Sequence, residues 1–404
     1  MTVPAKTNLA RTRPPRAARA VLAFLRRIQI GKLDLITPDG ELMTFHSERT
    51  GPWAQLTLRS WNALGALFAR GDVGFAEAYL DESWDTSDLS ALLTLAASNR
   101  TVLDSAIYGT WWGVLLYRFR RLSRANTRAG ARRNISAHYD LGNNFYAAWL
   151  DSTMTYSSAL FEGQPDRGLH DAQLAKYERV LRQIGAAPGE KILELGSGWG
   201  GFAEYAARTR GCHVHGISLS AEQLNYSSKR ARELDLANQC SFSRTDYRDV
   251  SGQFDHVVSI EMFEAVGERY WPDFFRAVKR CLAPRGKALI QTITIDDALF
   301  ERYRDGTDFI QQYVFPGGML ASKGEFLRHA RQAGLKAQNP FCFGQDYAES
   351  LRRWLSRYAD AAPALRELGF DARFERLWRF YLAYSIAGFA TGNTDVVQFE
   401  LTHA

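Results

Sequence analysis

From about residue 170 the chain settles into a rhythm of short apolar runs separated by amphipathic ones, and this rhythm constrains the fold most. Residues 170–185 carry helical spacing, and Lys191–Leu195 (KILEL) reads as a buried strand. Further strands are predicted at His213–Ser218, Ser241–Thr245, His256–Ile260 and Lys287–Ile295, with helices at Ala221–Leu234 and Arg269–Cys281 between them. Strands alternating with helices predict an α/β fold with a doubly wound, Rossmann-like parallel sheet. Such sheets bind ligands beyond the carboxyl ends of their strands.

The first strand runs into Gly196-Ser197-Gly198-Trp199-Gly200-Gly201 and then a helix. Glycines let the backbone approach a ligand closely, and the helix N-terminus offers free N–H groups. A G-x-G-x-G run serves several nucleotide-like ligands, so its neighbours must choose. Glu194 precedes Gly196 by two, and no G-x-x-x-x-G-K-[ST] phosphate cradle is present. The second strand ends on Ser218, followed by Gln223, where a dinucleotide enzyme places a carboxylate. Asp246 and Tyr247 follow the third strand, suited to an adenine amine and an adenine face. Together these select S-adenosylmethionine, held by Glu194, Gly196, Gly198, Gly200, Ser218, Gln223, Asp246 and Tyr247.

The 404 residues exceed one ordinary domain, and charge divides the chain unevenly. Residues 1–133 hold 19 Lys and Arg against 11 Asp and Glu, while 134–404 hold 31 against 33. The first third reads as a basic tail (1–16), a smaller mixed α+β domain (17–117) and an Arg-rich linker (118–133), with the catalytic domain over 134–404. Ala17–Ile30 reads as a basic amphipathic helix, and Leu33–Ile36 and Leu42–Phe45 as strands joined at Pro38-Asp39-Gly40. No apolar run approaches 18 residues, and Ile107–Tyr117 is too short to span a bilayer. The N-terminus lacks the apolar stretch of a signal peptide, so a cytoplasmic location is expected. Cys212, Cys240, Cys281 and Cys342 are too widely spaced for a metal site and read as buried thiols; no metal is expected.

Several motifs then fall in one order: His138-Tyr139-Asp140-Leu141-Gly142-Asn143, Met154–Ser158 (MTYSS), Glu194–Gly200 (ELGSGWG), Ser259–Gly267 (SIEMFEAVG), Thr292-Ile293, Phe315–Gly318 (FPGG), Tyr347, and Gly388–Leu401 with Asp395 and Gln398. This set resembles the cyclopropane-fatty-acyl-phospholipid synthase family, which includes the mycolic acid cyclopropane synthases. Gly74–Tyr79 (GFAEAY) extends the resemblance to the N-terminal domain of its two-domain bacterial members. The resemblance implies methyl transfer to the double bond of an unsaturated phospholipid acyl chain, closing a cyclopropane, and adds Tyr156, Ser157 and Ile260 to the donor site. It also implies a bound bicarbonate that takes the leaving proton, held by Glu264, Tyr347 and the backbone of Ile293. Two positions depart. Ser158 stands for a cysteine whose backbone N–H is used, and Gln291 stands for a histidine. An amide donates a hydrogen bond but does not titrate near neutral pH. A methyl- or methylene-branched product is therefore the alternative to a ring.

A carbocation needs a dry, aromatic pocket. Tyr139, Phe145, Tyr146, Phe263, Tyr270, Phe309, Tyr313, Phe315 and Tyr347 are candidates for its lining. The basic first domain suits an anionic membrane surface, reached peripherally from the inner face, and a homodimer stays open as the assembly. A nucleic-acid partner is not expected: the basic residues cluster in terminal and linker segments, and no Asn/Asp-Pro-Pro-Tyr/Phe tetrad is present. An inactive lipid-binding protein is argued against by Glu264, Tyr347 and the Tyr156-Ser157 pair.

Overall fold

The computed structural model describes residues 13–101 and 141–404. The first twelve residues, the apolar stretch Ile107–Tyr117, the expected linker and Tyr139 lie outside the described residues. The chain divides into two compact units, Met1–Leu116 with Asp371–Ala387, and Tyr117–Phe370 with Gly388–Ala404. The linear division expected at residue 134 therefore needs correcting, because the segment 371–387 packs with the first unit. The Arg376 guanidinium lies 3.7 Å over the Tyr79 ring, and Phe380 meets the edge of the fully buried Trp84.

The first unit holds a four-stranded sheet in the order β2-β1-β3-β4, from β1 (Lys32–Ile36), β2 (Leu42–His46), β3 (Trp53–Leu58) and β4 (Trp84–Asp85). β1 and β2 form the expected hairpin around Asp39-Gly40, and β3 runs parallel to β1. Trp84 stacks on Phe75 at 4.1 Å and donates its indole N–H to the Phe75 carbonyl, which satisfies its one polar atom. The basic helix forms at Arg16–Leu25, but its apolar side (Ala18, Val21, Leu22 and Leu25) is buried in the unit. The Arg16 and Arg19 side faces outward, joined by Arg26 and Arg27. Among the described residues no helix is long and apolar enough to cross a membrane.

The second unit is the expected α/β sheet. Its path runs β11 (Leu335–Cys342), β12 (Thr394–His403), β9 (Leu282–Ile295), β8 (Phe254–Ile260), β5 (Lys191–Leu195), β6 (His213–Ser218) and β7 (Cys240–Arg244). A short β10 (Ala321–Ser322) pairs with the end of β9. The pairs from β7 through β9 are parallel, whereas β12 and β11 are antiparallel additions. Successive strand residues feed opposite layers, as the pleat requires. Leu193, Val257 and Ile290 join a core with the helices Trp271–Cys281 and Lys323–Gln332. Ile192, Val258 and Leu289 join another with the helices Leu169–Ile184 and Gly201–Arg210. Apolar side chains needed on both faces explain why these strands read as continuous apolar runs.

Of the cysteines, three are buried as expected, while Cys342 is exposed at the end of the edge strand β11. Phe326 is fully buried and stacks at 4.0 Å on Phe399 of β12, fastening a helix to the antiparallel strand. We expect Phe326→Ala to lower unfolding stability by about 3–5 kcal/mol, measured by urea denaturation.

Candidate active site

A cleft opens at the carboxyl ends of β5, β6 and β8. Its walls include ten of the eleven residues expected to hold the methyl donor: Tyr156, Ser157, Glu194, Gly196, Gly198, Ser218, Gln223, Asp246, Tyr247 and Ile260. Gly196 must be glycine here, because φ is +84° and a Cβ would come within 2.8 Å of Met262. Gly200 is the exception. It caps the following helix in a left-handed conformation, where a Cβ would meet Ser227 at 2.9 Å, so its service is to packing rather than to the cleft wall.

The cleft is prepared for a polar ligand. Glu194 is buried at the end of β5, and its Oε2 has no hydrogen-bond partner among the described residues. Burial holds its carboxyl well above the usual carboxylate range, opposed by the charge of Lys176. A ligand hydroxyl donating to Oε2 would relieve that cost. Ser218 donates to Gln223 Oε1 at 2.9 Å, fixing the amide at the β6 turn. Asp246 is gripped by Arg248, whose Nε and Nη2 donate at 2.8 and 2.6 Å. Its expected bond to an adenine amine would share that carboxylate.

Behind the donor wall lies a lysine that sequence reasoning missed. Lys176, fully buried on the helix Leu169–Ile184, donates to Ser157 Oγ at 2.6 Å and to Gln173 Oε1 at 2.8 Å, while Gln173 donates to the Ser157 carbonyl. Burial pulls its pKa down to about 7, against the opposing pull of Glu261, Asp151 and Glu194. Nothing in its helical context (YERVLRQI) distinguishes it from a surface lysine.

The expected anion-binding residues do converge, but on a side chain of the chain itself. Ser158 N donates to Glu261 Oε1 at 2.9 Å, Gln291 Nε2 donates to the same oxygen at 2.7 Å, and Tyr347 OH donates to Oε2 at 2.7 Å. Ile293 N and Thr292 Oγ1 donate instead to Glu264 Oε1. The donors expected to hold bicarbonate are thus engaged by two carboxylates, and the bicarbonate expectation does not fit this site. Register explains part of the geometry. β8 ends at Ile260 opposite Gln291, and β9 continues past it, leaving the Ile293 N–H for Glu264. Gln398 on β12 pairs with Gln291, donates to its Oε1 at 2.9 Å, and so turns the Gln291 amide nitrogen toward Glu261. Arg179 Nη1 in turn donates to Gln398 Oε1 at 2.6 Å.

Both carboxylates are buried. Burial raises the Glu261 pKa above its ordinary value, and Lys176 with the three donors moderates the rise. Glu264 is pushed up to about 8 by burial and by the neighbouring Glu261 charge. The sequence signal that could have found Glu261 was its spacing, three residues before Glu264 within SIEMFEAVG.

Aromatic rings form a continuous wall beside these groups. Tyr347 meets Trp354 edge-on at 6.0 Å, Trp354 meets Tyr156, and Tyr156 meets Tyr146 and Trp149. Of the expected lining, Tyr146 and Tyr347 belong to this wall. Phe263 is instead in the main core among Trp271, Phe274 and Phe326, and Phe145 packs under Trp149 against Tyr358. Tyr270 flanks Arg248, and the pair Phe309 and Tyr313 stacks on its own short helix.

The sequence pattern of the family described as Mycolic acid cyclopropane synthetase matches residues 126–399. The chain belongs to this family. One relative, the tuberculostearic acid methyltransferase UfaA1 of Mycobacterium tuberculosis, is 39% identical over 339 residues, covering 82% of this chain and 79% of that one. The cyclopropane-fatty-acyl-phospholipid synthase of Escherichia coli is 29% identical over 329 residues, covering 81% and 82%. The crystal structure of mycolic acid cyclopropane synthase CmaA1 complexed with SAH and CTAB superposes with a TM-score of 0.63 at 29% identity, over 67% of this chain and 97% of that one. As a member of this family, the chain is an S-adenosylmethionine-dependent methyltransferase with the Rossmann-like sheet of these enzymes.

The raised pKa of Glu264 has a consequence for stability. Between its ordinary value near 4.5 and about 8 the folded chain binds a proton that the unfolded chain releases. The resulting stabilisation is complete below 4.5 and is lost as pH rises through about 8. We expect Glu264→Gln to flatten the fall in unfolding stability across that window, read from urea midpoints at successive pH values.

Proposed function

We propose that the chain transfers a methyl group to an olefinic carbon of an unsaturated phospholipid acyl chain, and that the product carries a methylene branch. The observation that carries this reading is the pair of buried carboxylates, Glu261 in the wall of the donor cleft and Glu264 three residues on, beside an aromatic wall. Bound in the cleft, the sulfonium donor supplies an electrophilic methyl group. An alkene is a weak nucleophile, so alignment in a site that excludes water contributes much of the rate. Methylation leaves a cation on the acyl chain. Anions and aromatic faces stabilise it, and a carboxylate can accept the proton it must lose.

The branched product is supported by the 39% identity to a tuberculostearic acid methyltransferase and by Gln291, a neutral donor in place of the histidine implied by the resemblance. A cyclopropane is the second reading, favoured by the 29% identity to the cyclopropane synthase over a similar span. Incubating the protein with labelled donor and oleoyl phospholipid vesicles, then analysing the acyl chains by mass spectrometry, separates them: ozonolysis cleaves a methylene branch and spares a ring. Label entering nucleic acid and not lipid would overturn both. Glu194→Ala should weaken S-adenosylhomocysteine binding about tenfold or more by calorimetry, because it removes the acceptor at the end of β5.

The outward arginines of the first unit give the lipid reading a means of approach. Arg16, Arg19, Arg26 and Arg27 are exposed, and they form no ion pair among the described residues. They suit peripheral attachment to an anionic inner membrane face through charge rather than insertion. Co-sedimentation with phosphatidylglycerol vesicles should weaken as salt rises and fall further when these four are changed to glutamine; salt-insensitive binding to neutral vesicles would contradict it.

A further inference from the structure

Glu261 is an unusual residue for its position. Its φ is +53°, in the left-handed region that non-glycine residues rarely adopt. Strain of this kind persists where the surroundings over-determine it. Here three donors from three separate segments fix the side chain: the loop before Ser158, strand β9 through Gln291, and the helix Gly344–Asp360 through Tyr347. The residue also lines the donor cleft, alongside Ile260 and Met262.

We propose that Glu261 is the proton acceptor of the reaction, a carboxylate of the chain standing where the resemblance implied a bicarbonate recruited from solution. The two anions share a planar O–C–O group and one negative charge, so one set of donors can cradle either. Ser158 N, Tyr347 OH and the Gln291 amide, each expected to hold the free anion, all bond Glu261. The substitution of glutamine for histidine then has a reason. Gln398 orients the Gln291 amide as a fixed donor, and with a carboxylate already in the chain no cationic ring is needed to attract an anion. Lys176, reaching Ser157 from behind, supplies compensating charge without touching the base.

The inference rests on the methylation reading above. In that reaction the alkene π pair forms the new C–C bond, and the S–C pair remains on sulfur as a thioether. A hydride then moves from the methylated carbon to the adjacent cationic carbon. The pair of one C–H bond of the added methyl becomes the C=C bond of the branch, and its proton passes to Glu261. For a ring, the same C–H pair would close directly onto the cationic carbon, and the proton again goes to Glu261. Either way the neutral acid returns the proton to water before the next turnover, and no oxidant or reductant is required.

The full chain should be assayed with labelled donor and oleoyl phosphatidylglycerol vesicles, in buffer freed of carbon dioxide and again with added bicarbonate. The wild-type rate should be the same in both. E261Q should lose about 100-fold or more in turnover while still binding S-adenosylhomocysteine, which verifies its folding. E261G, which empties the cradle, should bind the same ligand and regain turnover on addition of bicarbonate. A wild type that slows without bicarbonate, an E261Q rate near wild type, or an E261G variant that binds ligand and is not rescued would each overturn the assignment. A wild type that labels no lipid under either condition overturns the methylation reading itself, an outcome distinct from these three.

Discussion

Two carboxylates three residues apart are buried at the carboxyl edge of the sheet, and the surrounding chain is arranged around that fact. An anion withdrawn from water without compensation is costly, so its oxygens must be met by donors. The donors found here are neutral: Ser158 N, the Gln291 amide and Tyr347 OH on Glu261, and Ile293 N and Thr292 Oγ1 on Glu264. Neutral donors satisfy the oxygens without bringing a full opposite charge. The pKa values stay raised, although the charge of Lys176 offsets part of the rise at Glu261.

This arrangement accounts for the antiparallel end of the sheet. β12 places Gln398 beside Gln291, and the chain Arg179–Gln398–Gln291–Glu261 fixes which end of each amide faces which neighbour. A sheet ending at β9 would leave the Gln291 amide without that constraint. The donor cleft and the base pocket share the wall formed by residues 156–158: Tyr156 and Ser157 face the cleft, and the Ser158 N–H meets Glu261. In the proposed reaction, adjacent residues would therefore serve methyl delivery and proton removal, which favours short-lived intermediates kept from water.

Much of the frame was legible in the sequence. The strands at Lys191–Leu195 and His213–Ser218 fell where the apolar runs predicted, because burial on both faces demands such runs. The donor cleft left a local pattern in the sequence because glycines at positive φ follow a buried acid, whereas Gly200, a left-handed helix cap, does not line the cleft. The amphipathic helix at the N-terminus was also found, but its periodicity does not say whether the apolar side meets protein or lipid. It meets protein.

Sequence by itself determined the fold class, the donor and the family, because these depend on local periodicity and on motifs read within a few residues. Tertiary structure alone decided what the anion-binding donors hold. Ser158, Glu261, Gln291 and Tyr347 are far apart in the chain, and Glu261 was hidden inside a motif already credited to Glu264. Only the register of β8 against β9, and the placement of the helix carrying Tyr347, bring those donors to one carboxylate. The same residues read in sequence order describe a cradle for a free anion; folded, they hold an anion that the chain provides.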